Sequence, residues 1–482
     1  MSRDSLEFLF QPKSIAIVGA SNNPASFGCD YMNYMLSYGY SGELYPINPK
    51  QNEILGLKAY PSIEHVPGAI DYVVCCIAIG NVPELLTQCS HKGVKTVHIF
   101  AGRGSETGRP QAKELEDEIL KRAKEYGIRL LGPNCLGIFC PESGLSFGYD
   151  FPKESGTVGA MIQSGGNSTD LIRFSSLRGV RFSKVVSYGN ALDINQNDLL
   201  EYFSQDSETK IILCFIEGLK GDSKKFLKLL REAANLKPVV ICKGGRTTAG
   251  ARWTLSHTAS LAGSAKIWET VIRQAGAIPA RDIDELVNMA VAFYLLPPVR
   301  GIRIGIGGGG GGRSVLSADE WEENGFDPPA LPQEIREEFK RRGSQLWDWM
   351  NNPADVSILV PGEPYSVPAA LIEMSKSPNF DLIAANVSED FPFGREHFIA
   401  AMKDDVGGYI KVSKECNKPF LVIFGDRSLG IDEMDSWRYR TIAQMRAWLI
   451  EERVPFFPTV DQAAKAMKEQ INYYRRKEEQ DK

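Results

Sequence analysis

The chain has 482 residues, and its 55 Lys and Arg against 60 Asp and Glu give a net charge of −5. This slight acidic excess argues against a main role in binding nucleic acid, which needs a basic surplus. The 43% of hydrophobic residues excludes a largely disordered chain, and the length predicts about three domains of ~100–150 residues.

Short apolar runs alternate with amphipathic helical stretches along the whole chain, which is typical of α/β proteins with parallel sheets. In a first domain, residues 1–142, we predict strands at 15–18, 71–77 and 96–100 and a helix at 111–126 that ends at Gly127. A Pro/Gly/Ser-rich break at 140–156 then separates this domain from the next. The fold class predicted from these patterns is three consecutive doubly wound α/β domains.

The second and third predicted domains cover residues 151–297 and 300–482. The second has strands at 157–162, 184–186, 210–215 and 238–242 and a helix at 283–296, which Pro297 ends. The third has strands at 302–306, 381–387 and 419–424, and its charged tail after Tyr474 is predicted to be solvated or frayed.

The first residues and the cysteines indicate a soluble protein of a reducing compartment, which we expect to be the cytoplasm. Asp4, Glu7 and Pro12 interrupt any signal-peptide pattern, and the longest apolar segment, 287–296, is far too short to span a membrane. The nine cysteines form no CxxC pair, and we expect Cys75 and Cys76 to pack as small hydrophobic residues.

Two glycine-containing turns are candidate anion sites, because each connects a predicted strand to a helix N-terminus. The first contains Gly19, Ala20 and Ser21 and lacks the GxGxxG spacing, so a purely structural turn remains an alternative. Lys50 follows the second strand and could either meet a phosphate or be solvated. The second turn contains Ser164, Gly165 and Gly166, and here the alternative is an ordinary helix cap by Asn167 or Ser168.

Two residues are candidate catalytic groups. His257 lies in a long loop of small residues after a buried strand, whereas His65, His91, His98 and His397 are assigned structural or surface roles. Glu217 follows an apolar strand at the edge where parallel sheets bind ligands, and it could orient a histidine. The alternatives are a solvated loop histidine for His257 and a helix N-cap or an exposed turn acid for Glu217. The six glycines at 307–312 are interpreted as a flexible strand-to-helix turn, because no Lys-Ser/Thr follows them as in a P-loop.

Together, several strings resemble the α subunit of the nucleoside-diphosphate-forming acyl-CoA synthetases, which are relatives of succinyl-CoA synthetase. The resemblance covers nearly the whole chain and rests on the strings GAS at 19–21, NPK at 48–50, GPNCLG at 132–137, KPVVICKGGR at 237–246, SHTASLAG at 256–263 and NNPADV at 351–356. It implies a Rossmann-like CoA-binding domain followed by two flavodoxin-like domains.

The resemblance also implies roles for the candidate residues. Gly19, Ala20, Ser21 and Lys50 would bind the nucleotide and phosphates of CoA, whereas Gly102, Glu106 and Asn134 would lie near its pantetheine arm. His257 would be the phosphorylated histidine, Glu217 the acid that orients it, and Ser164, Gly165 and Gly166 the phosphate-binding loop. The implied enzyme is an ADP-forming acid–thiol ligase that passes through acyl phosphate and phosphohistidine, without a metal site of its own.

The sequence departs from the family pattern at three places. Ile162 replaces a serine of the phosphate loop, Ala259 replaces a glycine two residues after the histidine, and the glycine run replaces a Thr-Asn-x-Gly-Gly pattern. These changes make a CoA-binding or acyl-CoA-binding sensor without turnover an alternative, and a lyase or transferase a more distant one.

The three α/β domains leave no room for the ATP-grasp module that holds the nucleotide in this family. The expected partners are therefore a separate ATP-grasp β subunit, which would bind most of the ATP or ADP and Mg²⁺, together with CoA and a carboxylic acid. A hetero-oligomer is expected, and neither nucleic acid nor a membrane is expected as a partner.

Overall fold

The computed structural model describes residues 6–250, 252, 265–355, 362–389, 393–425 and 436–480. The chain forms two compact units. The first comprises Met1–Ser176 and Arg181–Leu286, and the second comprises Leu177–Val180 and Val287–Lys482. The predicted α/β class with parallel sheets is confirmed.

The first sheet of the first unit is entirely parallel, with the strand order β2-β1-β5-β6-β7. All residues of β1, β5 and β6 are buried, which explains why these strands are continuous apolar runs. The strands are β1 (Ser14–Val18), β2 (Glu43–Ile47), the small hairpin β3 (Glu53–Ile54) and β4 (Leu57–Lys58), β5 (Tyr72–Cys75), β6 (Thr96–Ile99) and β7 (Arg129–Leu131). The helices are α1 (Phe27–Tyr38), α2 (Val82–His91) and α3 (Pro110–Tyr126).

The second sheet of the first unit has the order β13-β12-β11-β9-β10-β8 and is parallel except for β8. Its strands are β8 (Gly137–Phe139), β9 (Val158–Ile162), β10 (Phe182–Ser187), β11 (Ile211–Ile216), β12 (Val239–Lys243) and β13 (Ile278–Ala280). The helices of this region are α4 (Gly165–Ser176), α5 (Gln196–Gln205), α6 (Ser223–Leu236) and α7 (Ala265–Gln274). The next helix, α8 (Ile283–Leu295), begins in the first unit and continues into the second. The strand β8 precedes the predicted break at 140–156, yet it pairs with β10, which follows the break. The first and second predicted domains therefore both contribute strands to this sheet, within one compact unit.

The second unit contains a parallel sheet with the order β14-β15-β16-β17. Its strands are β14 (Ile304–Gly308), β15 (Leu382–Asn386), β16 (Phe420–Ile423) and β17 (Phe456–Phe457). Its further helices are α9 (Gly311–Glu323), α10 (Gln333–Arg341), α11 (Val367–Lys376), α12 (Arg395–Glu415), α13 (Trp437–Glu451) and α14 (Val460–Gln480).

The tail after Tyr474 is solvated, as one of the two predicted alternatives has it, since its residues to Gln480 are exposed or half-buried. It is not frayed, because α14 continues to Gln480. Its preceding turns are well anchored: Tyr473 packs edge-on against Phe293 with ring centroids 5.6 Å apart, and buried Gln470 donates to the carbonyl of Ala292 at 2.9 Å. In the part of the chain that the structure describes, no helix has the length and apolar character needed to cross a membrane.

Candidate functional site

The turn between β1 and α1 brings the helix N-terminus directly against the end of the strand. Gly19 has φ +89°, and its N–H donates to the carbonyl of Ile47 at 3.0 Å. A Cβ on Gly28 would lie 2.0 Å from the Gly19 carbonyl oxygen, so a side chain cannot fit there. Ser26 caps α1 by accepting a hydrogen bond from the N–H of Cys29. The first N–H groups of α1 are thereby held beside Gly19, as an anion site requires.

Asn48 ties this turn to the loop after β2. Its Nδ2 donates to the carbonyl of buried Ala20 at 2.8 Å, and its Oδ1 accepts from the backbone N–H of Lys50 at 2.8 Å. The Lys50 side chain is exposed, and the Ser21 hydroxyl accepts from the N–H of Asn23 at 3.0 Å. The structure therefore brings Gly19, Ala20, Ser21 and Lys50 to one edge of the first sheet.

Glu106 holds its own loop in shape. One carboxylate oxygen accepts from the N–H groups of Arg103 and Gly104 at 2.5 and 3.0 Å. The other accepts from Nδ2 of Asn190 at 2.8 Å, which connects the loop to the segment after β10. Both oxygens are thus engaged within the protein, and these bonds let Glu106 hold the shape of the candidate site.

Gly102 and Asn134 lie against this loop. A Cβ on Gly102 would be 3.2 Å from both Asn134 Oδ1 and Glu106 Oε1, so a glycine lets the three segments approach closely. Asn134 has φ +59°, a conformation that asparagine tolerates better than most residues, and its N–H donates to the carbonyl of Ala101 at 3.2 Å. Gly102, Glu106 and Asn134 therefore form a second cluster.

The loop before α4 forms the N-terminus of a 12-residue helix. Ser164 precedes the first helical residue, and its carbonyl accepts from the N–H of Ser168 at 3.1 Å. Asn167 and Ser168 are therefore inside the helix, and the alternative that either of them caps it is wrong. A Cβ at Gly166 would meet nothing within 4 Å, so the space beside the first turn is open.

Glu217 follows β11 and is connected to this loop by Gln163, which the sequence analysis missed. Gln163 Oε1 accepts from the N–H groups of Glu217 and Gly218 at 2.8 and 3.1 Å. This assigns the orientation of the amide, because two N–H donors require an oxygen. The side chain is only 3% exposed, and its Nε2 has no hydrogen-bond partner among the described residues.

Lys243, at the end of β12, is a second residue that sequence reasoning missed. Its Nζ donates to the carbonyl of Glu217 at 2.8 Å and also to the carbonyl of Gly244. Burial lowers the pKa of this ammonium, and the nearby Glu217 carboxylate opposes the shift. Trp268 lies 5.5 Å from Nζ, measured to its ring centroid. The sequence signal that could have indicated Lys243 is its position at the end of an apolar strand.

Tyr188, directly after β10, lies close enough to Glu217 for the two to interact electrostatically. Burial, together with Cys214 and Glu217, raises the pKa of its phenol well above the usual value. Its hydroxyl is buried without a hydrogen-bond partner among the described residues. Ser164, Gly165, Gly166 and Glu217 form the third cluster. Gln163 connects them, because it directly precedes Ser164 and accepts a hydrogen bond from the N–H of Glu217.

The predicted catalytic histidine, His257, lies outside the described residues, as does Ala259. Of the other histidines, His98 is buried and its Nε2 donates to the carbonyl of Cys135 at 3.1 Å. Burial lowers the pKa of His98 to about 4, so it is neutral near pH 7. The described residues contain no group of three or more His, Cys, Asp or Glu that could hold a metal ion.

The glycine run at 307–312 spans the end of β14 and the start of α9, so it lies at a strand-to-helix junction, where the sequence predicts a turn. Gly308, Gly309 and Gly310 have φ values of +80°, +93° and +80°, which side-chain-bearing residues rarely adopt. Beside this turn, at the carboxyl ends of the strands of the second unit, is a cavity of about 300 Å³. Its polar lining includes Arg313, Ser317, Glu320, Asn386, Glu389 and Thr459.

Two family models match the chain. A CoA binding domain matches residues 13–141, and a succinyl-CoA ligase like flavodoxin domain matches residues 155–293. The first match contains the clusters around Gly19 and Gly102, and the second contains the cluster around Glu217.

Two proteins similar to the chain are named as ADP-forming acetate–CoA ligases. The α subunit of an ADP-forming acetate–CoA ligase II from Pyrococcus furiosus is 34% identical over 424 residues, which cover 87% of this chain and 90% of that subunit. An ADP-forming acetate–CoA ligase from Methanocaldococcus jannaschii is 41% identical over 316 residues, or 65% of this chain and 44% of that larger protein.

The whole chain also matches a solved structure. A dinucleotide-forming acetyl-coenzyme A synthetase 1 from Candidatus Korarchaeum cryptofilum, in complex with phosphate and ADP, superposes with a TM-score of 0.80 at 30% identity. The match covers 98% of each chain.

Proposed function

The chain belongs to the α subunits of the ADP-forming acyl-CoA ligases, and on that premise we propose that it carries the CoA half and the phosphoryl-carrier half of the reaction. The reaction interconverts acyl-CoA, ADP and phosphate with a carboxylic acid, CoA and ATP. Relatives named as acetate–CoA ligases make acetate the first acid to test.

In the direction of ATP synthesis, the proposed reaction has three steps. A phosphate oxygen attacks the thioester carbon, and the CoA thiolate leaves and takes up a proton, giving an acyl phosphate. A nitrogen of His257 then attacks the phosphorus, and the carboxylate leaves. Finally, an oxygen of the ADP β-phosphate attacks the same phosphorus, the N–P bond breaks, and neutral His257 is regenerated with ATP.

The CoA end of this chemistry fits the first two clusters. The N-terminus of α1 beside Gly19 presents N–H groups to a phosphate, and Lys50 adds an exposed positive charge at the same edge. Gly102 lies on the loop that Glu106 and Asn190 hold in place, and Asn134 lies against it from the segment after β7, where the pantetheine arm would pass.

The phosphoryl end fits the third cluster, and this arrangement carries the proposal. Ser164–Gly166 form an open helix N-terminus, and Gln163, the residue before them, fixes the backbone of Glu217 on the neighbouring strand. Helix N–H groups can stabilise the charge of a phosphoryl group, while a carboxylate can hold a histidine in the correct tautomer. The loss of one hydroxyl at Ile162 leaves these two features in place.

We assign ADP or ATP and Mg²⁺ mainly to a separate ATP-grasp subunit. Similarity to a Pyrococcus furiosus protein that is named as an α subunit supports a second subunit. Mg²⁺ would neutralise phosphate charge during transfer to the nucleotide.

The first two steps need no nucleotide, so they test the proposal on this chain alone. Acetyl-CoA and ³²P-labelled phosphate should give an acid-labile, alkali-stable label on the chain, and His257→Ala should abolish the label while CoA binding persists. CoA binding without label from acetyl-CoA or from longer acyl-CoA esters would overturn the proposal.

A further inference from the structure

The backbone of Glu217 is held by side chains on both of its polar groups. Gln163 Oε1 accepts from its N–H at 2.8 Å, and Lys243 Nζ donates to its carbonyl at 2.8 Å. The two partners come from the strands on either side, because β11 lies between β9 and β12. We call Gln163 and Lys243 the Glu217 clamp.

Both members of the clamp are buried, which makes their positions well defined. Gln163 is 3% exposed and Lys243 is 4% exposed, so neither side chain has room to exchange freely between rotamers. Each also bonds a second group of the same region: Gln163 the N–H of Gly218, and Lys243 the carbonyl of Gly244. The clamp therefore fixes the turn that carries Glu217 as well as the start of the segment after β12.

Burying an ammonium and an amide whose Nε2 has no partner among the described residues costs stability, since apolar side chains would fill the same space without that cost. Fold stability alone thus does not account for these residue types. A requirement for an exact carboxylate position does account for them, because phosphoryl transfer is sensitive to misplacement by about 1 Å.

We propose that Gln163 and Lys243 are positioning residues that hold Glu217 in the orientation needed for phosphorylation of His257. This inference rests on the proposed function, and neither residue contacts the substrates in it. Removing either one leaves the Glu217 carboxylate present but less well placed.

The variants Gln163→Met and Lys243→Met test the clamp, because methionine keeps much of the volume and removes the hydrogen bonds. Each has a matched control in the same unit. Gln196 is a buried glutamine whose amide bonds the N–H and carbonyl of Lys220, at 3.2 and 2.6 Å. Lys237 Nζ donates to the carbonyls of Phe203 and Asp206, at 2.7 and 2.5 Å. The controls are Gln196→Met and Lys237→Met.

The measurement is the rate of label transfer from acetyl-CoA and ³²P-phosphate to the chain, as a function of acetyl-CoA concentration. For both clamp variants we expect the saturating rate to fall about 10- to 100-fold, with the half-saturating acetyl-CoA concentration within about twofold of the unsubstituted chain. Both controls should keep rate and half-saturation, although their melting temperatures fall.

Two results would overturn the inference. The first is a clamp variant that keeps the full saturating rate. The second is an equal loss of rate in the clamp variants and the controls, which would mean that any damage to this sheet slows the reaction. If the unsubstituted chain takes up no label, the proposed function fails, and this inference fails with it. If Gln163→Met does not fold, Lys243→Met tests the other member of the clamp by the same criteria.

Discussion

Single residues at the candidate site depend on partners that are distant in the chain. Glu217 is bonded by Gln163, 54 positions earlier, and by Lys243, 26 positions later. Glu217 could be predicted because a carboxylate stands directly after an apolar strand. Gln163 and Lys243 also stand at the ends of apolar strands, but their contacts with Glu217 arise only from the order in which β9, β11 and β12 lie in the sheet.

Replacing Glu217 by glutamine should slow phosphorylation of the chain without unfolding it. Glu217→Gln keeps the shape and the backbone hydrogen bonds but removes the charge that would hold and stabilise a histidine, and we expect a loss of about 10²- to 10⁴-fold. The rate of ³²P label transfer from acetyl-CoA and phosphate measures this. Glu232→Gln, an exposed change on α6, is the control. Equal rates for both variants would contradict the role of Glu217.

His98 should make the stability of the first unit depend on pH. Its folded pKa, about 4, is below the ordinary value of 6.5, so the unfolded chain binds a proton first as the pH falls. Its contribution is complete above pH 6.5 and is lost progressively towards pH 4, by at most about 3 kcal/mol.

His98→Gln should reduce this pH dependence, because glutamine can still donate to the Cys135 carbonyl but does not titrate. Denaturant unfolding at pH 7 and pH 5 gives the comparison. His91→Gln is the control, because His91 is exposed and pairs with Glu64 at the surface. A wild-type-like fall in stability between the two pH values in His98→Gln would show that other groups cause it.

Three strand-to-helix turns contain glycines that the sequence analysis singled out, and the glycines have a different role in each turn. The turn before α1 uses a positive φ at Gly19 and a close contact at Gly28, whereas the turn before α4 leaves open space at Gly166. The turn before α9 uses three successive glycines with positive φ. Sequence patterns located all three turns, but the same residue type serves backbone conformation, close packing or access depending on its position.

Gly28→Ala should weaken CoA binding, because its Cβ would collide with the Gly19 carbonyl and push α1 away from β1. We expect an affinity loss of more than about tenfold, corresponding to at least ~1.4 kcal/mol, measured by isothermal titration calorimetry. Gly80→Ala is a suitable control, since a Cβ there meets nothing within 4 Å. Unchanged CoA affinity in a folded Gly28→Ala variant would exclude this turn as the binding site.

At the scale of the whole molecule, each of the two compact units contains a cluster of buried hydrophobic residues within the part of the chain that the structure describes. One core cluster runs from Ala16 to Leu130 in the first unit, and another from Leu331 to Phe456 in the second. Chains with more than one compact unit often depart from two-state unfolding, so we expect two transitions in calorimetry.

Gly308→Ala should lower only one of these transitions. Its Cβ would approach the Tyr409 hydroxyl and the Asn386 carbonyl, and φ at Gly308 is +80°, so the variant strains the second unit. Gly312 lies within α9, and a Cβ there would meet nothing within 4 Å. Gly312→Ala should therefore leave the free energy of unfolding of the second unit unchanged or raise it by about 0.5–1 kcal/mol. A parallel shift of both transitions in Gly308→Ala would show that the units unfold together.

The sequence by itself determined the α/β class, most strands, the turns and the family, because apolar periodicity and glycine placement are local properties. It also indicated Glu217, Ser164–Gly166 and the residues around Gly19 as candidates. It did not show that α14 continues through the solvated tail to Gln480, since the packing of Tyr473 on Phe293 is not visible in a charged tail. Only the tertiary structure showed that β8 pairs with β10 and that Gln163 and Lys243 reach Glu217 from both sides. The physical reason is that sheet order, not chain order, decides which side chains become neighbours.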